Sequence, residues 1–268
     1  MSSFKLVTWN VNSIRIRLDL LELLVSLTAP DIICLQEVKA KKEDFPFDNI
    51  RQLGYEHIAL YGQAGYNGVA ILSKFPLLHI EQKNWVGKQE ARHIKATIFD
   101  DIEINNIYIP AGGDLPDPIA NLSFAHKLCF MDDISEYYEQ HYAELSSKKM
   151  ILCGDFNVAP SENDVWNHKQ LLKIVSHTPV EIERLTRLYK SLDFVDAIRS
   201  VYPEPQKIYS WWSYRNPNWQ INDKGRRLDH IWVSRALKNK IINAQIIKEM
   251  RLAARPSDHV PVLLELKL

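Results

Sequence analysis

Cysteine is scarce in this chain, long apolar runs are missing and net charge is zero, and each shortage excludes something. Three cysteines in 268 residues, Cys34, Cys129 and Cys153, make no disulfide framework. Cys34 and Cys153 sit inside apolar, strand-like patterns and read as small buried hydrophobes. No stretch approaches the roughly 18–20 apolar residues that a membrane helix requires. The strand pattern FKLVTW begins almost at the N-terminus and leaves no room for a signal peptide. A cytoplasmic protein in a reducing compartment is expected. The 33 basic and 33 acidic side chains cancel, so overall charge advertises no nucleic-acid partner. Linkers, repeats and low-complexity tracts are also missing, which predicts one domain over residues 1–268.

What remains is enough for a substantial core, at 46% hydrophobic residues. Strand patterns run over 4–9, 31–35, 55–60, 68–72, 93–99, 102–109, 150–153, 228–233, 242–247 and 260–266. Helical periodicity covers 14–27, where Ile14, Leu18, Leu21, Leu24 and Val25 share a face before Pro30 stops it. Two further helices are expected over 119–145 and 180–192. Strands outnumber helices, and their spacing is too irregular for a simple βαβ chain. An α/β arrangement of two sheets packed face to face, with helices outside, accommodates this best.

Polar groups mark the strand ends. Asn10 ends KLVTWN, Glu37 follows IICLQ, Tyr108 ends INNIY, and Asp155 and Asn157 close MILCGDFN. Asp229 opens a strand in RRLDHIWVS, and Asp258 with His259 precedes the last one. Strands distant in sequence can meet in a sheet, so these positions can converge. Carboxylates, amides, a tyrosine and a histidine are what metal-assisted phosphate hydrolysis needs. Between Lys207 and Arg235 six basic residues face two acidic ones, either a phosphate-binding patch or a solvated loop.

TWNVNSIR, ICLQEVK, GVAILSK, YIPAGG, ILCGDFNVAP, SWWSYR, GRRLDHIWVS and PSDHVPV occur in an order that resembles the exonuclease III family of apurinic/apyrimidinic (AP) endonucleases. The resemblance spans essentially the whole chain. GDFN and SDH are shared with the wider superfamily of DNase I-like nucleases, inositol phosphatases and sphingomyelinases; QEVK, GRRLDHI and SWW narrow the match to the DNA-repair branch. Membership implies a four-layer α/β/β/α sandwich. It also implies Mg²⁺-dependent hydrolysis, with Mn²⁺ able to substitute, beside abasic sites in double-stranded DNA. Trimming of 3′ ends and a monomeric enzyme are implied as well.

The same resemblance assigns roles. Glu37 is the leading metal ligand, since Mg²⁺ favours one or two carboxylates plus water and phosphate; the alternative is a surface Glu. Asn10 either orients Glu37, touches the ion or simply forms a turn. Asp155 corresponds to the residue that handles the proton of the attacking water, with Gly154 permitting a tight turn before it. Asn157 would donate to the phosphate as charge develops; an Asx-turn or helix cap is the plainer reading of GDFN. His259 would donate to a phosphoryl oxygen while Asp229 fixes its tautomer and favours the charged form. His230, next to Asp229, should face the opposite side and take no part. Tyr108 either binds the scissile phosphate or assists the leaving oxygen. Asp258 is a ligand or stands behind one; Asp155, Asn157, Asp258 and His259 all remain open as ligands of a second ion.

DNA contacts are expected from Asn12 and Arg15, where the first helix begins with free backbone N–H groups. Trp211 and Trp212 can fill the space of a missing base, and an alternating pair splits between surface and core. Lys39 is a further phosphate contact, and the GRR run adds charge for backbone tracking. The chain departs from the family in the acidic AGGDLPDP loop and in residues 161–190, which bear on the balance of endonuclease and exonuclease action. Two other functions compete: a phosphoesterase acting on RNA, phosphoinositides or another ester, and a silent nucleic-acid-binding module. The basic tryptophan segment disfavours a lipid substrate, and retention of every matched residue disfavours silence.

Overall fold

The computed structural model describes residues 3–142 and 147–268. Within them lie β1 (Ser3–Asn10), β2 (Ile32–Gln36), β3 (His57–Tyr61), β4 (Val69–Ser73), β5 (Leu78–Trp85) and β6 (Lys88–Ile98). β7 (Ile102–Tyr108), β8 (Lys149–Asp155), β9 (Val195–Asp196), β10 (Asp229–Val233), β11 (Ile241–Ile246) and β12 (Val262–Lys267) follow. They form two six-stranded mixed sheets, ordered β11-β12-β1-β2-β4-β3 and β5-β6-β7-β8-β10-β9.

Alternation along the strands explains the layering. Phe4, Leu6, Ile32, Cys34 and Ile71 of one sheet pack against Ile94, Ala96, Ile104, Ile151, Cys153 and Ile231 of the other. The intervening residues face outward and are covered by helices, so β2, β4, β7 and β10 are buried throughout. Leu20, Leu21 and Leu24 of the helix Leu18–Thr28 cover Val7, Trp9, Ile33 and Leu35. On the other side, helices Leu122–Tyr142 and Pro179–Ser191 lay Phe130, Met131, Ile134, Leu185 and Leu188 over Ile107, Met150, Leu152 and Trp232. The result is the expected α/β/β/α sandwich.

Two expectations need correction, and two strands were missed. The helix expected over 14–27 is two pieces, a 3-10 turn Ile14–Ile16 and an α-helix from Leu18. They part at Arg17, whose guanidinium is drawn away to the carbonyls of Arg255 and Pro256, both at 3.2 Å. The second helix starts at Leu122, because Asp117 accepts the N–H groups of Ile119 and Ala120 in a turn; positions 143–145 lie outside the described residues. β5 was not expected at all, since LHIEQKNW is a largely exposed edge strand without apolar alternation. The two-residue β9 was also missed.

Register places the site. The central pairs β1/β2 and β7/β8 are parallel, so Asn10 lies beside Gln36 and Tyr108 beside Asp155 at the strands' carboxyl ends. β10 runs antiparallel to β8 and sets Asp229 opposite Asp155. Buried amides join the sheets beneath these ends: Asn106 of β7 donates to the carbonyls of Leu35 and Ala70, both at 2.9 Å, and accepts from Gln36 at 2.7 Å. Gly154 lets β8 lie close to β7, since a Cβ there would sit 1.8 Å from the Ile107 carbonyl oxygen.

Candidate active site

The strand ends open into a cleft of about 590 Å³ lined by Glu37, Tyr108, Asp155, Asn157, Asp258 and His259 at its floor. Glu37 and Asn157 take left-handed backbone angles, φ 51° and 53°, that non-glycine residues seldom adopt. Such conformations cluster where surrounding bonds over-determine them.

Asn10 ties the floor together. Its Nδ2 donates to Glu37 Oε1 at 2.8 Å and Asp155 Oδ2 at 2.9 Å, while its Oδ1 accepts from the Asn12 N–H at 3.1 Å. Both ends of the amide are engaged, so Asn10 orients the two carboxylates. Tyr108 donates its hydroxyl to Glu37 Oε1 at 2.8 Å. Burial, with the charges of Glu37 and Asp155 nearby, pushes that phenol well above its ordinary range, so it stays a neutral donor. Burial opposes ionisation of Glu37, yet hydrogen bonds from Asn10 and Lys39 prevail and hold its carboxyl below the usual value.

Asp155 is only 1% exposed. Its Oδ1 accepts the Asn157 N–H at 2.9 Å, and its Oδ2 accepts Asn157 Nδ2 at 3.2 Å. Burial first, then the nearby Asp229 charge, outweighs His259 and pushes the Asp155 carboxyl up to about 7. His259 Nδ1 pairs with Asp229 Oδ2 at 2.8 Å, and Ser210 donates to the same oxygen at 2.6 Å. Burial works against the imidazolium, but Asp229 and Asp155 overcome it and push His259 up to about 10. Its Nε2 stands 3.6 Å from Asp155 Oδ2 and 3.5 Å from Asn10 Nδ2. His230 faces away as expected, bonded to the Val158 carbonyl and pushed down to about 4 by burial.

A hard cation suits this donor set. Ionised Glu37 presents Oε2 to the Lys39 ammonium at 2.8 Å, and the same Nζ donates to Asn12 Oδ1 at 2.7 Å, so this corner already holds a positive charge among oxygens. Asp155, Asp229 and His259 also bring ligand atoms within 4.8 Å of one another. Glu37 is the better anchor, because the Asp229–His259 bond consumes one carboxylate oxygen and one ring nitrogen of that trio. Asp258, on the cleft lining, accepts from Asn12 Nδ2 at 3.2 Å and from Trp211 Nε1 at 3.0 Å.

The outer contacts are partly redrawn. Trp211 lines the cleft, whereas Trp212 is a core residue at 1% exposure, with its indole N–H on Asp223. The N–H groups of Ser13 and Ile14 are not free for phosphate; they donate to the carbonyls of Glu37 and Val38. Arg15 is exposed beside them, outside the cleft lining, and reaches the Lys39 carbonyl at 3.4 Å. In the GRR run, Arg227 is buried and paired with Asp164 and Asp196, so it cannot track a backbone. Arg235 pairs with Asp193. The basic patch reduces to Arg215, Lys224 and Arg226 on the cleft wall. Trp166, with Lys224 4.8 Å over its ring, and Ser210 were not singled out by sequence; Ser210 is the serine of SWW, whereas Trp166 lies in the loosely matching stretch 161–190 and carried no signal.

Two stacked mixed sheets with carboxylates, amides and an imidazole at their strand ends define a DNase I-like phosphodiester hydrolase. A family profile described as the Endonuclease/Exonuclease/phosphatase family matches residues 7–259. Exodeoxyribonuclease III of Haemophilus influenzae is 31% identical over 276 residues, covering 98% of this chain and 100% of that protein. An AP endonuclease from Archaeoglobus fulgidus superposes with TM-score 0.91 at 29% identity, over 99% of this chain and 100% of the other. A 3′ phosphatase from Neisseria, solved with a product DNA hairpin, gives TM-score 0.89 at 30% identity over 99% and 100%. The chain belongs to the endonuclease/exonuclease/phosphatase family and, inside it, to the exonuclease III family.

Proposed function

We propose that this chain is a Mg²⁺-dependent DNA repair enzyme that cleaves duplex DNA 5′ to abasic sites and trims 3′ ends. It works as a cytoplasmic monomer with one catalytic domain over residues 1–268, and Mn²⁺ can replace Mg²⁺. The observation that carries this reading is the joining of two groups on one cleft floor: Asp155, linked through Asn10 to Glu37, stands 3.6 Å from the Nε2 of His259, whose Nδ1 is held by Asp229.

Glu37 would hold the ion, steadied by Asn10, Tyr108 and Lys39. Mg²⁺ held there would supply charge neutralisation of the phosphate and polarisation of the ester. Asp155, poised near neutrality, accepts the proton of the attacking water. His259 is protonated at that pH and donates from Nε2 to a phosphoryl oxygen, while Asp229 and Ser210 fix its other side. Asn157 steadies Asp155 in the resting site; its 3.2 Å bond to that carboxylate is the one a phosphate oxygen can take over. Tyr108 supplies a neutral O–H to the phosphate. Trp211, with Arg215, Lys224 and Arg226 beyond it, forms the wall against which the damaged strand rests; Asn12, Arg15 and Lys39 serve the opposite side.

The test compares two labelled duplexes with Mg²⁺ and with EDTA. One carries a single internal abasic analogue, the other a recessed 3′ end. A nick immediately 5′ to the analogue and laddering from the recessed end are expected. Folded protein that cuts neither duplex, but hydrolyses an RNA or small phosphate ester, would replace this reading.

A further inference from the structure

Lys127 lies inside the helix Leu122–Tyr142 with its side chain fully buried, where an unpaired ammonium would be strongly disfavoured. Its Nζ donates to three oxygens: the carbonyl of Ala111 at 3.3 Å, the carbonyl of Asn157 at 2.8 Å, and Glu181 Oε1. Glu181 is equally buried and accepts the N–H groups of Ser176 and Thr178 and the Thr178 hydroxyl. Gly112 leaves room for the lysine stem, since a Cβ there would come 2.8 Å from Lys127 Cδ.

These partners belong to three separate segments around the cleft. Ala111 follows β7, Asn157 follows β8, and Ser176 precedes the helix Pro179–Ser191 while its Oγ accepts from Arg226 at 2.6 Å. A buried ion pair adds little stability over a well-packed apolar pair of the same volume, so stability alone gives no reason for it. Placement does. Asn157 sits at φ 53°, its N–H tied to Asp155 and its Nδ2 to Ile109 and Asp155. Among the described residues, Lys127 is the donor that holds its backbone carbonyl.

We propose that Lys127 and Glu181 are positioning residues of the phosphodiesterase reaction, holding Asn157, and through it the Asp155 carboxylate, in working geometry. This rests on the roles of Asn157 and Asp155 proposed above. Neither residue of the pair lines the cleft, so neither touches substrate.

The test uses the full chain. Lys127→Met should lower kcat on the abasic duplex about 100-fold, the loss that follows a misplacement of about 1 Å. KM for DNA and the Mg²⁺ midpoint should stay put. Because this variant strands a buried carboxylate, Lys127→Met/Glu181→Gln provides the second measurement. Its thermal midpoint should recover toward that of the parent chain while kcat stays low. A double variant with parental kcat would overturn the proposal, and so would a single variant whose loss resides in KM. The NMR signals of the Asn157 backbone and side-chain amides give a readout independent of catalysis. They should shift in the double variant while the Trp212 indole signal stays fixed; unmoved Asn157 signals overturn the proposal. If the parent chain cuts neither duplex, the catalytic reading falls, and those signals alone decide whether the pair places Asn157.

Discussion

The floor and the walls of the cleft are built on different physical terms. At the floor, Asn10, Asp155, Asp229 and His259 are buried and bonded to one another, and sheet register fixes their spacing. The walls are loops. One, around Ala111 to Leu122, is acidic and exposes Leu115 at 51% and Ile119 at 92%; the other presents Trp211, Arg215, Lys224 and Arg226. Sheets can hold a charge within tenths of an ångström, and loops can change without disturbing them. Chemistry and substrate choice are thus separable in this molecule, and substitutions should sort by which part they touch.

The floor should break most sharply. Asp155→Asn should cost on the order of 10³-fold or more in kcat, within the range for a lost acid–base group, while abasic duplex still binds. Near-parental turnover would remove Asp155 from the mechanism. The pH profile tests the same pair. Asp155 must be ionised and His259 protonated, so kcat/KM should fall below about 7 and again above about 10. A profile flat from pH 5 to 9, estimated as spanning about two units below the lower limb, would mean that another group takes the proton. Glu37→Ala should move the Mg²⁺ midpoint upward by at least about tenfold. An unchanged titration places the ligand elsewhere.

The walls should respond in binding instead. Trp211→Ala should weaken DNA binding by about 1–3 kcal/mol, the worth of an aromatic stacking surface. Trp212→Ala, one residue away, should cost about 3–5 kcal/mol of fold stability. Equal effects of the two on affinity would erase the distinction between them. Arg215, whose guanidinium has no bonded partner among the described residues, should give the smallest effect. Arg215→Ala should reduce the salt dependence of DNA binding by about one unit of slope, with little change in kcat.

Much of the floor was legible in the sequence because its chemistry is concentrated at strand ends, where apolar patterns stop at Asn10, Glu37, Tyr108 and Asp155. The core strands were legible for the same reason. β5 was not, because an exposed edge strand such as LHIEQKNW needs no apolar alternation to pair with its neighbour. Lys127 in FAHKLCFM reads as a solvated helical lysine, and its buried pairing depends on a residue 54 positions away. Arg226 and Arg227 look alike in sequence but part in the structure, one on the cleft wall and the other locked behind β10 by Asp164 and Asp196. Side-chain direction at such positions is set by partners that no local pattern contains. The wall residue Trp166 was missed likewise, since its segment has no periodicity to read.

The pairing of β12 with β1 has a consequence in time. During synthesis Asn10, Glu37 and Asp155 leave the ribosome well before His259, and β1, able to pair early with β2, waits for its other neighbour until Val262–Lys267 have been made. Until then the growing chain carries the carboxylates of the floor without the imidazole that pairs with Asp229. The cleft floor is complete only when β12 slips between β11 and β1 and brings His259 onto Asp229.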